Sequence, residues 1–135
     1  MNFTTTPPQP LEFGRSRDYY EAKINNFYFD AAPWGTSFTG NAEFEGEIHN
    51  VGGAFTDDVV TGVSVTISAS DSFEGITVDV PPEQFHEELK TRYPDATVRE
   101  TSYDEIISTI DTGEVTTEIF FTNRKPVTIH WTQKN

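Results

Sequence analysis

The side chains that could carry chemistry in this sequence are carboxylates and three histidines, because the chain contains no cysteine. The absence of cysteine excludes disulfides, thiolate metal sites and cysteine catalysis. Glu43, Glu45 and Glu47 alternate with other residues up to His49, so a continuous strand would place all four on one face. Such a neighbourhood suits a metal ligand or a general base. We interpret His49 more simply, as a histidine at the rim of an exposed acidic face.

The other enzymatic patterns are incomplete. Residues 86–90 (His-Glu-Glu-Leu-Lys) begin like the helix of zinc proteases, but they end in lysine where the second histidine is required. Gly52-Gly53 lacks the lysine and the serine or threonine of a phosphate-binding loop. We therefore expect no enzyme, no cofactor and no metal site, and we assign no catalytic residue.

The charge pattern points to a partner. The chain carries 22 acidic and nine basic residues, with a formal net charge of −13 at pH 7. No lysine or arginine occurs between Ile24 and Leu89, a stretch that contains twelve carboxylates. Such a field opposes direct binding to nucleic acid or anionic membranes and favours a basic protein partner. Solubility alone and adaptation to high salt are alternative explanations of the acidity.

The elements that must position these side chains indicate an α+β fold. We expect a predominantly antiparallel β-sheet of about six to seven strands, with one or two short helices packed on a face. Val63, Val65 and Ile67 alternate with serine and threonine, which predicts a half-buried strand over 59–68. The other predicted strands cover residues 19–29, 42–49, 76–80, 114–122 and 126–132.

Two segments are predicted by other signals. Phe85, Leu89 and Tyr93 have helical spacing, with acids in the first turns and bases in the last, which predicts a helix over 82–93. Pro33, Gly35 and Gly40 indicate a loop over 30–40, from which Trp34 and Phe38 would fold back onto the core.

Residues 97–111 are ambiguous between helix and strand. Ser102 and Glu105 have the spacing of a capping box, followed by isoleucines at helical spacing. The many β-branched residues and the following Thr112-Gly113 suit a hairpin instead. We favour a short helix here.

Proline and threonine set the N-terminus apart. Pro7, Pro8 and Pro10 predict an extended or disordered arm over residues 1–17, followed by a single α+β domain over 18–135. The first residues lack the pattern of a signal peptide, and no apolar run approaches the roughly 20 residues of a membrane span. We expect a cytoplasmic location, in the host cytoplasm if the protein is viral.

The leading hypothesis is a non-catalytic acidic protein-binding module, an inhibitor or adaptor that occupies a basic, nucleic-acid-binding surface of its partner. Alternate glutamates on a strand lie about 6.6 Å apart, on the order of the phosphate spacing along a nucleic-acid strand. A nuclease or another nucleic-acid-binding protein is therefore the expected partner. The predicted partner-binding residues are Glu43, Glu45, Glu47, Asp57, Asp58, Asp71, Glu74, Asp79, Glu83 and Glu87.

Two other classes are open. A structural or assembly protein, for example a virion component, would use the N-terminal arm and the sheet for subunit contacts and would form a defined homo-oligomer. An enzyme or small-ligand binder would use the aromatic-rich N-terminal half as a pocket.

Overall fold

A computed structural model describes residues 1–134 of the chain. It contains an eight-stranded antiparallel sheet, a three-stranded sheet and two helices. The predicted α+β class and mainly antiparallel sheet are confirmed, but the described residues form eleven strands rather than six or seven. In chain order the elements are β1 (Asn2–Phe3), α1 (Arg17–Lys23), β2 (Asn25–Ala32), β3 (Gly35–Phe44), β4 (Glu47–Thr56), β5 (Val59–Thr66), β6 (Ser72–Phe73), β7 (Ile76–Thr77), α2 (Pro82–Arg92), β8 (Thr97–Glu100), β9 (Glu105–Asp111), β10 (Val115–Thr122) and β11 (Lys125–Gln133).

The large sheet consists of two four-stranded meanders joined at a central seam. Its strand order is β2-β3-β4-β5-β11-β10-β9-β8, so the first meander (β2 to β5) meets the second (β8 to β11) where β5 pairs with β11. In this seam Val63 lies opposite Trp131, and Val65 lies opposite Ile129. All four side chains are buried, so the seam lies in the centre of the core.

The N-terminal segment and both helices pack against one face of the large sheet, which we call the inner face. Each is anchored by an aromatic pair: Phe3 against Trp131 (ring centroids 6.2 Å apart), Tyr20 of α1 against Phe38 (4.7 Å) and Phe85 of α2 against Phe121 (5.3 Å). Large buried aromatics of this kind dominate core energetics. The opposite, outer face carries the alternate residues of the same strands.

Residues 1–16 pack onto the domain rather than extending from it as a free arm. β1 pairs in parallel with β6, and Phe3 and Leu11 are each only 1% exposed. The Trp131 indole N–H donates a hydrogen bond to the Thr4 carbonyl at 2.9 Å. The segment turns at Gln9-Pro10, where the Leu11 N–H donates a hydrogen bond to the Pro8 carbonyl at 2.9 Å, and its apolar side chains bind it to the core.

The predicted strand over 19–29 and loop over 30–40 need correction. The first part of that strand is α1, which has Asp18 in its first turn, Lys23 in its last and an Arg17–Glu21 pair at i,i+4. These are helix-favouring signals that the aromatic content outweighed in the prediction. The predicted loop is the β2–β3 hairpin. Phe38 is buried as expected, whereas Trp34 is 89% exposed and does not fold onto the core.

In the C-terminal half, α2 and the closing β10–β11 hairpin confirm the predictions, as does β5 at the seam. The helix that we favoured within 97–111 is wrong, because β8 and β9 form a hairpin there. Ile107 of β9 lies opposite Phe120 of β10, so the β-branched residues complete the sheet. Pairing with β10 therefore outweighs the local capping-box signal.

Candidate functional site

The two meanders carry equal numbers of acids but differ in basic residues. Residues 25–66 contain six acidic and no basic residues, and residues 97–133 contain six acidic and three basic ones. In the second meander Arg99 pairs with Glu118 at 3.1 Å. Arg124 forms two hydrogen bonds of 2.8 Å with the Glu83 carboxylate of α2. Arg99 and Arg124 therefore hold carboxylates in intramolecular pairs, whereas Lys125 has no ion pair within residues 1–134.

The carboxylates of the first meander are left for solvent or a partner. All six are exposed. Glu47 has one long contact, 4.0 Å from the Met1 amino group. Within residues 1–134, the other five have no ion pair, namely Asp30, Glu43, Glu45, Asp57 and Asp58.

Glu43, Glu45 and Glu47 lie around a tight turn instead of along one strand face. Glu45 and Gly46 have positive φ angles of 52° and 83°, the conformation of a two-residue hairpin turn. Glu43 lies opposite Ile48 on the outer face, whereas Glu47, one residue earlier on β4, points to the inner face. The predicted strand over 42–49 and the phosphate-like row of glutamates are therefore wrong. Gly46 is the sequence signal for this turn, but the alternation of the glutamates outweighed it in the prediction.

The tip of the β3–β4 hairpin nevertheless combines charge with an apolar side chain. Ile48 is 75% exposed, although it belongs to β4 of the large sheet. Glu43 lies across the hairpin from it, and Glu45 lies in the turn beside it. We call this group, Glu43, Glu45 and Ile48, the glutamate tip.

A second exposed group lies at the other end of the same strands. The ten residues of β4 separate the two ends by about 30 Å. At this end Trp34 occupies the β2–β3 turn, and Asp57 and Asp58 occupy the β4–β5 turn. The two turns are neighbours, about 10 Å apart, because they are two strand spacings from each other. We call Trp34, Asp57 and Asp58 the tryptophan tip.

Asp71 does not belong to the acidic surface on which we predicted it. It is 2% exposed and accepts hydrogen bonds from the Ser68 backbone N–H at 2.9 Å and the Met1 amino group at 3.0 Å. Burial by itself would raise the pKa of the Asp71 carboxyl. Hydrogen bonds from Ser68, the Met1 amino group and His49 outweigh that effect and hold the pKa below its usual value. Asp71 is therefore an ionised, internally paired carboxylate.

The other predicted partner-binding residues lie apart from the first meander. Glu74, between β6 and β7, is half-buried and accepts a hydrogen bond from the Thr5 N–H at 3.2 Å. Asp79 is exposed in the segment before α2, and Glu87 is exposed on α2 itself. Glu83 is exposed but paired with Arg124. Asp79 and Glu87 therefore add exposed acidity near α2, outside the two tips.

His49 is buried rather than at a rim, with 7% of its surface exposed. Its Nε2 lies 3.3 and 3.4 Å from the two Asp71 carboxylate oxygens. Glu47 precedes it by two residues on the same face of β4, and donor atoms of these three residues lie within 4.8 Å of one another. The sequence showed the Glu47–His49 spacing but not that the chain returns after β5 to place Asp71 beside it.

The contacts of the other two histidines, His86 and His130, do not include an exposed nucleophile. His86 Nδ1 lies 3.2 Å from Ser108 Oγ, but Ser108 is fully buried. His130 lies on the outer face of β11 beside Phe120, with ring centroids 4.7 Å apart. Burial lowers the pKa of both imidazoles. These contacts are those of structural histidines in a partly buried setting.

A shallow groove of about 400 Å³ lies on the outer face at the seam. Most of its lining residues are small, among them Ser37, Thr39, Gly52, Gly62 and Ser64. It contains no carboxylate, so it is separate from the acidic surface.

The chain matches no protein-family model, no curated protein and no solved structure. Among residues 1–134, no helix is both long and apolar enough to span a membrane.

Proposed function

We propose that this protein is a non-catalytic binding module whose first meander docks onto a basic surface of a partner protein. The observation that supports this most directly is the contrast between the meanders. Five exposed carboxylates of the first meander have no ion pair within residues 1–134, and no basic residue lies in that segment to offset them. The exposed, unpaired carboxylates of the second meander lie in a segment that also carries three basic residues. Unpaired surface charge of one sign steers an oppositely charged partner and raises its association rate.

The exposed apolar side chains can supply binding energy that charge alone does not. Trp34 and Ile48 are exposed by 89% and 75%, and each lies beside carboxylates at its own tip. Interfaces draw most of their binding energy from a few aromatic or apolar anchors, with tryptophan among the most enriched. A partner with an apolar pocket surrounded by lysine or arginine would fit either tip.

The partner class is a basic protein, and its basic surface would be one that also binds nucleic acid. Inhibition or recruitment would follow because the module and the nucleic acid compete for the same positive charges. The chain's own charge of −13 opposes direct contact with nucleic acid. This competition rests on the exposed charge of the two tips and not on a phosphate-like spacing of glutamates.

The test compares two variants with the same change in net charge. The first neutralises the tips with Glu43→Gln, Glu45→Gln, Asp57→Asn and Asp58→Asn. Asn suits the positive φ angles of 51° and 68° at positions 57 and 58. The control neutralises four exposed carboxylates elsewhere, with Asp95→Asn, Glu100→Gln, Asp104→Asn and Glu114→Gln.

The wild-type chain is used at low salt to isolate a basic protein from source-cell lysate, and the purified partner is titrated by calorimetry. We expect the tip variant to bind more than tenfold more weakly and the control to stay within about twofold, with DNA competing for the partner. Equal weakening by both variants would show that only total charge matters, which contradicts the proposal. Failure of DNA to compete would reject the nucleic-acid-binding surface as the docking site.

A further inference from the structure

We propose that Glu47, His49 and Asp71 form a binding site for one divalent transition-metal ion of the zinc type. The three side chains supply one imidazole nitrogen and two carboxylate oxygens, all within 4.8 Å of one another. Imidazole and carboxylate groups are ordinary zinc ligands, and three protein ligands are enough when a fourth position is open. This inference is independent of the proposed partner binding.

The spacing of the donors, which allows only a long hydrogen bond between His49 and Asp71, also suits coordination. His49 Nε2 lies 3.3 and 3.4 Å from the Asp71 oxygens, beyond the usual range for an N–H···O hydrogen bond. Ligand bonds of 2.0–2.1 Å in a tetrahedral site place neighbouring donors about 3.3–3.4 Å apart. Glu47, whose side chain is 55% exposed, is free to move the short distance that would complete the set.

His49 is held with its Nε2 directed into this cluster. The Phe3 and Phe44 rings pack on the imidazole with centroids 5.6 Å away, and the side chain is 93% buried. Its Nδ1 has no hydrogen-bond partner within residues 1–134. Because Nδ1 is unpartnered with either tautomer, giving Nε2 to a metal sacrifices only the two long contacts with Asp71. The rigid ring and the Ser68 N–H bond to Asp71 would keep two ligands oriented.

A positive group already lies at this cluster. The Met1 ammonium is 3.0 Å from Asp71 and 4.0 Å from Glu47, and the hydrogen bond to Asp71 raises the pKa of that amino group. A divalent ion would take over the same role with one more positive charge and would balance both carboxylates. The burial of Asp71 and His49 strengthens such an interaction relative to solvent-exposed acids.

The donor set also selects the class of ion. A nitrogen ligand from imidazole suits zinc and related transition metals, whereas calcium and magnesium prefer oxygen ligands in greater number. Among residues 1–134, no carboxylate of either tip belongs to a cluster of three possible ligands, so the tips should bind metals weakly and without this preference.

The experiment titrates Zn²⁺ into the chelator-treated full chain by calorimetry and repeats the titration with Mg²⁺ and Ca²⁺. Glu47→Gln is the test variant, because Glu47 is exposed and its loss should not unfold the protein. Glu45→Gln, in the same hairpin turn, is the matched control. We expect one zinc per chain, at least about tenfold weaker binding in Glu47→Gln, and binding within twofold of wild type in Glu45→Gln.

Histidine NMR signals provide a second readout. On adding one equivalent of Zn²⁺, the His49 ring signals should shift while those of His86 and His130 stay in place. Absence of stoichiometric zinc binding, equal weakening in both variants, or shifts confined to the other histidines would overturn the proposal. The tip variant used for partner binding retains Glu47, so either proposal can fail without the other.

Discussion

The two meanders have the same antiparallel architecture and six carboxylates each, yet only the second carries basic residues as well. In the second, Arg99 binds Glu118 and Arg124 binds Glu83 of α2, although four carboxylates of that meander have no ion pair within residues 1–134. In the first, five exposed carboxylates have no such partner within residues 1–134. Exposed ion pairs contribute little to stability. Surface ion pairs are therefore not what stabilises either meander, and the unpaired charge of the first is accessible at the surface.

Both meanders depend instead on the shared inner face. The buried seam residues connect them, and the N-terminal segment crosses from the Trp131 side chain to the β6–β7 hairpin. Burial of apolar side chains supplies the main favourable term of folding. A common core leaves the outer surfaces of the two meanders free to differ.

The largest effect, on the free energy of unfolding, should come from a substitution in the seam between β5 and β11. Trp131→Ala removes a fully buried side chain and its hydrogen bond to Thr4, so we expect a loss of about 3–5 kcal/mol in the free energy of unfolding. Denaturant unfolding followed by far-UV circular dichroism measures it, with exposed Thr132→Ala as the control. Both meanders should unfold in one transition. Two separate transitions would show that the meanders are independent units.

A smaller effect, on partner binding, should show which end of the first meander contacts the partner. Trp34→Ala should weaken partner binding by about tenfold or more, because exposed tryptophans are frequent anchors of interfaces. Stability should change by less than about 0.5 kcal/mol, since the side chain is 89% exposed. Tyr103→Ala, which removes an 80% exposed aromatic at the β8–β9 turn, is the control. If Ile48→Ala weakens binding and Trp34→Ala does not, the glutamate tip is the docking end.

The smallest effect should come from breaking an ion pair of the second meander. Arg124→Gln releases the exposed Glu83 carboxylate and restores its pKa toward the ordinary value, because the Arg124 guanidinium is what lowers it. We expect no measurable change in thermal unfolding and at most twofold change in partner affinity. A severalfold gain in affinity would mean that any freed carboxylate contributes, so the distinction between the meanders would not hold.

Local sequence patterns correctly predicted the elements whose apolar face is also the face that the rest of the protein buries. The alternation at Val63 and Val65 and the spacing of Phe85 and Leu89 matched β5 and α2, because each pattern has one apolar face and that face is buried. The segment 97–111 was mispredicted because its isoleucines satisfy helical spacing as well as a strand, and only β10 decides between them. The row ending at His49 failed because one tight turn reverses the chain at Glu45.

The candidate sites were predictable only in part. The absence of basic residues across the first meander can be seen in the sequence, as can the two-residue spacing of Glu47 and His49. Asp71 looked like one more surface acid, because nothing in its neighbours indicates that it is buried against residues more than twenty positions away. Trp34 looked like a core residue on account of its size, but its turn projects it into solvent.

Composition and short-range periodicity are local properties, so the amino-acid sequence was enough to predict the α+β class, the acidity of the first meander and the lack of cysteine chemistry. It could not predict which carboxylates are paired, which tip carries each exposed apolar side chain, or that His49 contacts Asp71. Those outcomes depend on strand order and on contacts between distant segments, whose free energies exceed local preferences.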